Sequence, residues 1–204
     1  MPEKPVIGLL GGPGSGKSSV AEIFDQLGAG IVSADAINHQ ILARPEVTQQ
    51  AISFWGPEIL GSDGQINRQV LGNTVFNDPI QLQRLTDLVH PLIRLESDVQ
   101  IEELKSDNST KAIVLDIPLL LETDQQKTCD FLVFVECERE IRLQRVRQSR
   151  GWDDEKLSQV EKMQISLEIK AQKADYIISN NQSLRETAEQ AERVFVEVLN
   201  QFLP

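Results

Sequence analysis

An α/β fold, a doubly wound parallel sheet of five strands, is predicted for this chain by three observations. The first is Gly11-Gly12-Pro13-Gly14-Ser15-Gly16-Lys17-Ser18, which follows the apolar run Val6–Leu10 and precedes a helical pattern starting near Lys17. Strand, glycine turn and helix form the setting that the GxxxxGK[ST] phosphate loop requires. The second is a set of four more short apolar runs, Ile31–Ala34, Ala112–Ile117, Phe131–Glu136 and Tyr176–Ser179. Several are apolar on both faces, as buried parallel strands are. The third is the helical stretches that intervene between the runs. Together they predict a P-loop NTPase-type sheet, with an inserted helical substrate subdomain and a helical lid.

Composition sets the limits. At 204 residues, 40% hydrophobic and 25% charged, the chain is long enough to bury a real core as one domain. A net charge of −11 argues against nonspecific affinity for nucleic acid or an anionic membrane. An anionic ligand must then be met by local cations, and Glu138–Lys173 is where they gather, with nine Lys and Arg against seven acids. Cys129 and Cys137 give neither a disulfide framework nor a metal spacing. The start has no long apolar segment and no run reaches membrane-span length, so a cytoplasmic protein with reduced thiols is expected.

In chain order, glycines at 11, 12, 14 and 16 let successive backbone N–H groups turn toward an anion, and the following helix adds the positive end of its dipole. Lys17 can then reach the outer phosphates of a nucleoside triphosphate, and the Ser18 hydroxyl can ligate Mg²⁺. Gly28-Ala29-Gly30 reads as a helix C-cap and turn. The next strand ends on Asp35, followed by a helix from Ala36. Asp35 has two readings, an N-cap satisfying free N–H groups or a carboxylate able to take a proton from an acceptor hydroxyl.

Residues from about 44 to 108 are too many for one crossover and read as an inserted helical subdomain. Within it Ser62-Asp63-Gly64 is a turn, Asn67 caps one helix, and Asp78-Pro79 starts another. His90-Pro91 is expected to break that helix, with Pro91 starting the next. Trp55, Arg68, His90 and Arg94 are the functional candidates, although a lone His before Pro also serves as a structural turn residue. Asp116, closing the strand Ala112–Ile117, reads either as a magnesium-steadying carboxylate or as a cap of the neighbouring helix.

The helix Glu138–Arg150 carries Arg139, Arg142 and Arg145 three apart, so they cannot all disperse to opposite sides. One reading is a solvated face. The other is a mobile lid, about 138–173, that brings arginine to the transferring phosphoryl group. Gly151-Trp152-Asp153 ends this helix and caps a second through Lys173. After the strand Tyr176–Ser179 come Asn180-Asn181, and Ser183-Leu184-Arg185-Glu186 forms a capping box for the terminal helix.

These motifs resemble the dephospho-CoA kinase family over nearly the full length. The resemblance rests on Ile7–Ser18, Val32-Ser33-Ala34-Asp35, Phe54-Trp55-Gly56, Asp63–Arg68, Val75-Phe76 and Leu85 through His90-Pro91. It continues in Pro118-Leu119-Leu120-Leu121-Glu122, in Gln164 with Lys170, and in Ala174–Asn180. It implies a nucleotide core (about 1–43, 109–137 and 174–204), a helical CoA subdomain and a lid. The implied reaction is ATP-dependent phosphorylation of the ribose 3′-hydroxyl of dephospho-CoA, the last step of CoA synthesis.

By role, the resemblance implies Asp35, Lys17 and Arg145 at the chemistry. Gly12, Pro13, Gly14, Ser15, Gly16, Lys17, Ser18, Arg150 and Asn180 would surround ATP. Asp35, Arg68, His90 and Arg94 would meet the acceptor, and Ser18 with Asp116 would hold Mg²⁺. Three positions depart from the family pattern. Leu10 stands where Thr is usual, Leu121 where Phe is usual, and Ser149 where a second lid arginine usually lies, leaving Arg147 or Arg150 to take that place. The rival readings are another small-molecule kinase, such as a nucleoside monophosphate kinase, and a nucleotide-switched module of the GTPase kind. The chain has no Asn-Lys-x-Asp guanine motif, which counts against the second.

Overall fold

The fold is described from a computed structural model in which residues 3–75 and 78–202 are placed. Phe76, one of the residues carrying the resemblance, lies outside the described residues. Five strands form one sheet in the order β2-β3-β1-β4-β5. β1 (Val6–Leu10) is buried at every position and lies between β3 (Ala112–Asp116) and β4 (Phe131–Glu136). It pairs in parallel with both, Gly8 opposite Leu115 on one side and Leu132 on the other. β4 pairs in parallel with β5 (Tyr176–Ser179). The uniform apolarity of β1 and β3 follows from this central position, where both faces are covered by helices.

β2 spans Ala29–Ser33, two residues earlier than the apolar run suggested. The turn is made by Gly28 alone, at φ +100 with its N–H on the Asp25 carbonyl. Gly30 belongs to the strand, and a Cβ there would stand 2.4 Å from a Leu104 methyl. Glycine is thus required for close approach of another element rather than for a turn.

One compact unit comprises residues 1–32 and 101–204. Its core joins Ile7, Leu9, Val114, Val133 and Val135 of the sheet to α1 (Lys17–Gln26) and α9 (Leu184–Phe202). α1 presents Val20, Ala21 and Phe24, and α9 presents Ala191, Val194, Phe195 and Val198, both at helical spacing. The Phe24 and Phe195 rings stack with centroids 5.5 Å apart. Each such buried side chain is worth roughly 1.5–3 kcal/mol. The capping box at the start of α9 is formed as expected, the Ser183 hydroxyl accepting from Glu186 N–H at 3.3 Å and the Glu186 carboxylate accepting from Ser183 N–H at 3.0 Å. α6 (Arg139–Arg150) ends at Gly151, φ +67. The single helix expected beyond it is two, α7 (Asp154–Lys162) and α8 (Leu167–Gln172). Each has its own cap, Asp153 accepting from Lys156 N–H and Ser166 from Ile169 N–H. A second N-cap within the stretch offers the chain a new helix start, and local capping ends the first helix where periodicity alone would continue it.

The other unit, residues 33–100, is helical. It contains α2 (Ala34–Leu42), α3 (Pro45–Trp55), α4 (Arg68–Val75) and most of α5 (Pro79–Ser106). Asn67 caps α4 through two backbone N–H groups, and Asp78 caps α5 with Pro79 at its first position. His90-Pro91 does not break the chain into two helices. α5 is one helix of 28 residues with Pro91 inside it. Pro91 and Asp87 both lie on exposed positions, so the carbonyl left without its helical donor can be solvated.

Candidate nucleotide site

β1 ends at Leu10, which is buried. The phosphate loop begins there. Gly14 and Gly16 take left-handed conformations, φ +76 and +91, and Ser15 N–H closes a turn on the Gly12 carbonyl at 3.1 Å. α1 starts at Lys17, and among the described residues no side chain caps it and no acid stands in its first turn, a setting that suits an anion at its amino end. Lys17 Nζ reaches back over the loop to the Gly11 and Gly12 carbonyls, at 3.1 and 3.4 Å. Ser15 Oγ is buried and has no hydrogen-bond partner among the described residues, which leaves polar capacity at the loop itself.

The Ser18 hydroxyl donates to Asp116 Oδ2 at 2.8 Å. Asp116 is buried and its carboxylate faces α1, so the bond joins the loop helix to the neighbouring strand. A hydroxyl and a carboxylate side by side are oxygen donors of the kind Mg²⁺ takes. The residues present fit that ion, and Ser18 with Asp116 would hold it.

Two arginines that sequence spacing placed together separate into different jobs. Arg142 is buried, 4% exposed, its guanidinium donating from Nε to the Cys137 carbonyl at 3.0 Å and from Nη1 to the Pro13 carbonyl at 3.5 Å. It also pairs with Glu161 of α7. Arg145 donates to the Ser15 carbonyl at 3.3 Å and to the Asn180 carbonyl at 3.2 Å. The Asn180 amide adds a 2.8 Å bond to the same Ser15 carbonyl and accepts from Thr187 Oγ1 at 3.0 Å. Arg139 is spent on Asp154 and Ser158, and Arg150 stacks over the Trp152 ring at 5.0 Å. The reading of α6 as a solvated face therefore fails for Arg142 and Arg145 and holds for Arg147, which is exposed.

A second buried pair lies between the β3 loop and α8. Lys170, 1% exposed, donates to Glu122 Oε1 at 3.0 Å and Gln164 Oε1 at 3.1 Å, while Ile165 N–H donates to the same Glu122 oxygen at 2.9 Å. Leu121, next to Glu122 in the chain, is buried. Near Arg145, the Cys137 thiol is pushed above its usual pKa by burial, against the opposing pull of Arg145 and Arg142.

The acceptor candidates lie in the helical unit. Asp35 is the second residue of α2 and exposed, and Ser33 caps that helix, accepting from Ala36 N–H at 3.4 Å. The N-cap reading of Asp35 is thereby corrected: Ser33 occupies the capping position, and among the described residues the Asp35 carboxylate accepts no hydrogen bond. Arg68 begins α4, exposed. His90 and Arg94 are four apart on α5 and so share a face. The His90 pKa is lowered by partial burial of the ring, with the Asp87 carboxylate opposing. Trp55 donates its indole N–H to Gln81 at 2.8 Å, a structural role within this unit.

Sequence reading singled out the loop, Ser18, Asp116, Arg145 and Asn180, and the structure brings these together in one unit. It did not assign Arg142, Glu161 or Thr187. The available signal for Arg142 was its place four before Val146, since both lie on the buried face of α6.

Five parallel strands with this loop on the central one, and a hydroxyl–carboxylate pair bridging to the adjacent strand, place the molecule in the P-loop class of nucleotide-binding α/β proteins. Within that class, the family model for dephospho-CoA kinase matches residues 5–186. A dephospho-CoA kinase of Carboxydothermus hydrogenoformans is 39% identical over 188 residues, 91% of this chain and 90% of that protein. The structure of dephospho-CoA kinase from Campylobacter jejuni is similar with a TM-score of 0.68 and 28% identity, covering 96% of this chain and 97% of that one. That of TT1252 from Thermus thermophilus is similar with a TM-score of 0.76 and 29% identity over the same shares. The chain belongs to the dephospho-CoA kinase family.

Proposed function

We propose that the chain transfers the terminal phosphoryl group of ATP to the ribose 3′-hydroxyl of dephospho-CoA, giving CoA and ADP. The observation that carries this is the family match across residues 5–186, with an intact phosphate loop at its start. Backbone N–H groups of Gly12, Gly14 and Gly16, with the amino end of α1, bind the phosphates. Lys17 offsets charge on the transferring group, and Arg145, with Arg147 or Arg150, supplies further cations from the segment 138–173 acting as a lid. Mg²⁺ held by Ser18 and Asp116 supplies electrostatic stabilisation of the phosphates when bound. Asp35 orients or deprotonates the acceptor hydroxyl, and its freedom from a capping bond supports that role. Arg68, His90 and Arg94 hold the acceptor on a helical subdomain of about residues 44–108. A cytoplasmic location accords with this metabolic step; no helix among the described residues is long and apolar enough to cross a membrane.

The test is incubation with ATP, Mg²⁺ and dephospho-CoA, with mass detection of a product heavier by one phosphoryl group and located on the 3′-oxygen. No such product, with turnover on another alcohol or a nucleoside monophosphate, replaces the acceptor. Asp35→Asn should leave ATP affinity close to that of the wild type and lower turnover by about 10²–10⁴-fold, the span of a positioned base. Near-normal turnover in that variant removes Asp35 from the mechanism.

A further inference from the structure

A peptide unit is planar and trans, so a carbonyl and the N–H of the next residue point in opposite directions. Whatever holds a loop carbonyl outward therefore aims the following N–H inward. In this chain Gly11 O and Gly12 O accept from Lys17 Nζ, whereas Pro13 O and Ser15 O accept from side chains that follow β4 and β5. Ser15 O is held by Asn180 and Arg145, which sets the Ser15–Gly16 peptide. Pro13 O is met by Arg142, which sets the Pro13–Gly14 peptide. The Arg142 guanidinium also comes close to the loop, since a Cβ on Gly12 would stand 2.9 Å from its Nη1, and the backbone of α6 does too, since a Cβ on Gly14 would stand 2.7 Å from the Arg142 carbonyl. The guanidinium is fixed there by the Cys137 carbonyl on one side and Glu161 on the other.

We propose that Arg142 is a positioning residue for nucleotide binding: anchored on Glu161, its guanidinium holds the Pro13 carbonyl outward and keeps the Gly14 N–H turned into the phosphate loop. It touches no phosphate. Gly14, at φ +76, has no side chain to prevent its peptide from rotating, so without Arg142 the loop can present the Pro13 carbonyl where an N–H is needed. An inward carbonyl repels a phosphate oxygen, which weakens every phosphate state alike, bound substrate as much as transition state. A uniform loss of this kind raises KM for ATP with little change in kcat. Glu161 ties the same guanidinium to α7, so that helix and the loop are coupled through one ion pair.

This inference deepens the nucleotide assignment above and rests on it, and calorimetric titration of ATP in the absence of acceptor separates the two. If the wild type binds no ATP, the nucleotide assignment itself fails. If it binds, Arg142→Gln is expected to weaken binding about tenfold, with KM for ATP rising in step, kcat within about threefold and KM for dephospho-CoA unchanged. Arg142→Lys keeps the charge but cannot fork between the Cys137 and Pro13 carbonyls, and should not restore binding. Glu161→Gln leaves both carbonyl contacts available and covers the case in which Arg142→Gln does not fold. It should weaken ATP binding severalfold, and combined with Arg142→Gln should add nothing to the single change. Wild-type ATP affinity in a folded Arg142→Gln or Glu161→Gln protein, full rescue by lysine, or strictly additive losses would overturn the proposal.

Discussion

Asn180 has every polar side-chain atom engaged, its amide nitrogen on Ser15 O and its oxygen on the Thr187 hydroxyl. A Cβ on Gly16 would stand 2.1 Å from that nitrogen, so glycine there admits the clamp as well as the turn. Buried polar groups at this site are thus satisfied by the loop they support, the condition under which burial costs least. Cys129 shows the effect of burial on ionisation. Its thiol lies over β1, where a Cβ on Gly8 would come within 2.8 Å of the sulfur, and burial pushes its pKa up to about 12. An unfolded thiol ionises near pH 8.5. With the folded value raised, the stabilisation is fully present below the unfolded value and is lost as pH rises toward the folded one. The stability difference between wild type and Cys129→Ser should therefore shrink above pH 8.5, by up to about 1.4 kcal/mol per pH unit. Urea denaturation at pH 8, 9 and 10 measures it, and a difference independent of pH contradicts the burial argument.

At the scale of elements, α5 carries a proline that its surroundings tolerate rather than require. Proline in a helix interior is about 3 kcal/mol less favourable than alanine. Pro91 is exposed and the freed Asp87 carbonyl has no side-chain substitute among the described residues. Pro91→Ala should raise stability by about 1–3 kcal/mol, part of the gain being offset by greater freedom of the unfolded chain. The urea midpoint reports it, and an unchanged or lower midpoint means the ring packs more usefully than its exposure indicates. The α7–α8 break teaches the same lesson from the other side. Periodicity runs through 154–172, yet Ser166 offers a second cap and the helix restarts there. Helix number in this chain is decided by caps and carbonyl solvation, which hydrophobic spacing does not record.

On the scale of the whole molecule, a chain of net charge −11 must receive a triphosphate. Cations stand at the loop on Lys17 and along α6, where Arg142 is buried and Arg139 is paired with Asp154. The sheet that carries the loop is held by α1 and α9 on one face, with the Phe24–Phe195 stack at the contact. Phe195→Ala should cost about 3–5 kcal/mol of unfolding free energy, as large-to-small core changes do. Since Phe195 touches no loop residue described above, KM for ATP should stay near the wild-type value at temperatures where the variant is folded. A loss of ATP affinity in proportion to the loss of stability would show that core and loop are not separable.

The fold class, the five strands, the phosphate loop and most caps were legible in the residues themselves. Those features depend on local rules, such as apolar runs, glycine at turns, and a hydroxyl or carboxylate at a helix start, and local rules are written in neighbouring letters. The loop's supports were not legible. Arg142 on Pro13, Arg145 and Asn180 on Ser15, and Lys170 on Glu122 join residues far apart in sequence, and a charged residue reads the same whether solvated or buried. Only the packed chain, where a desolvated guanidinium must find carbonyls or a carboxylate, decided which arginines back the loop and which face water.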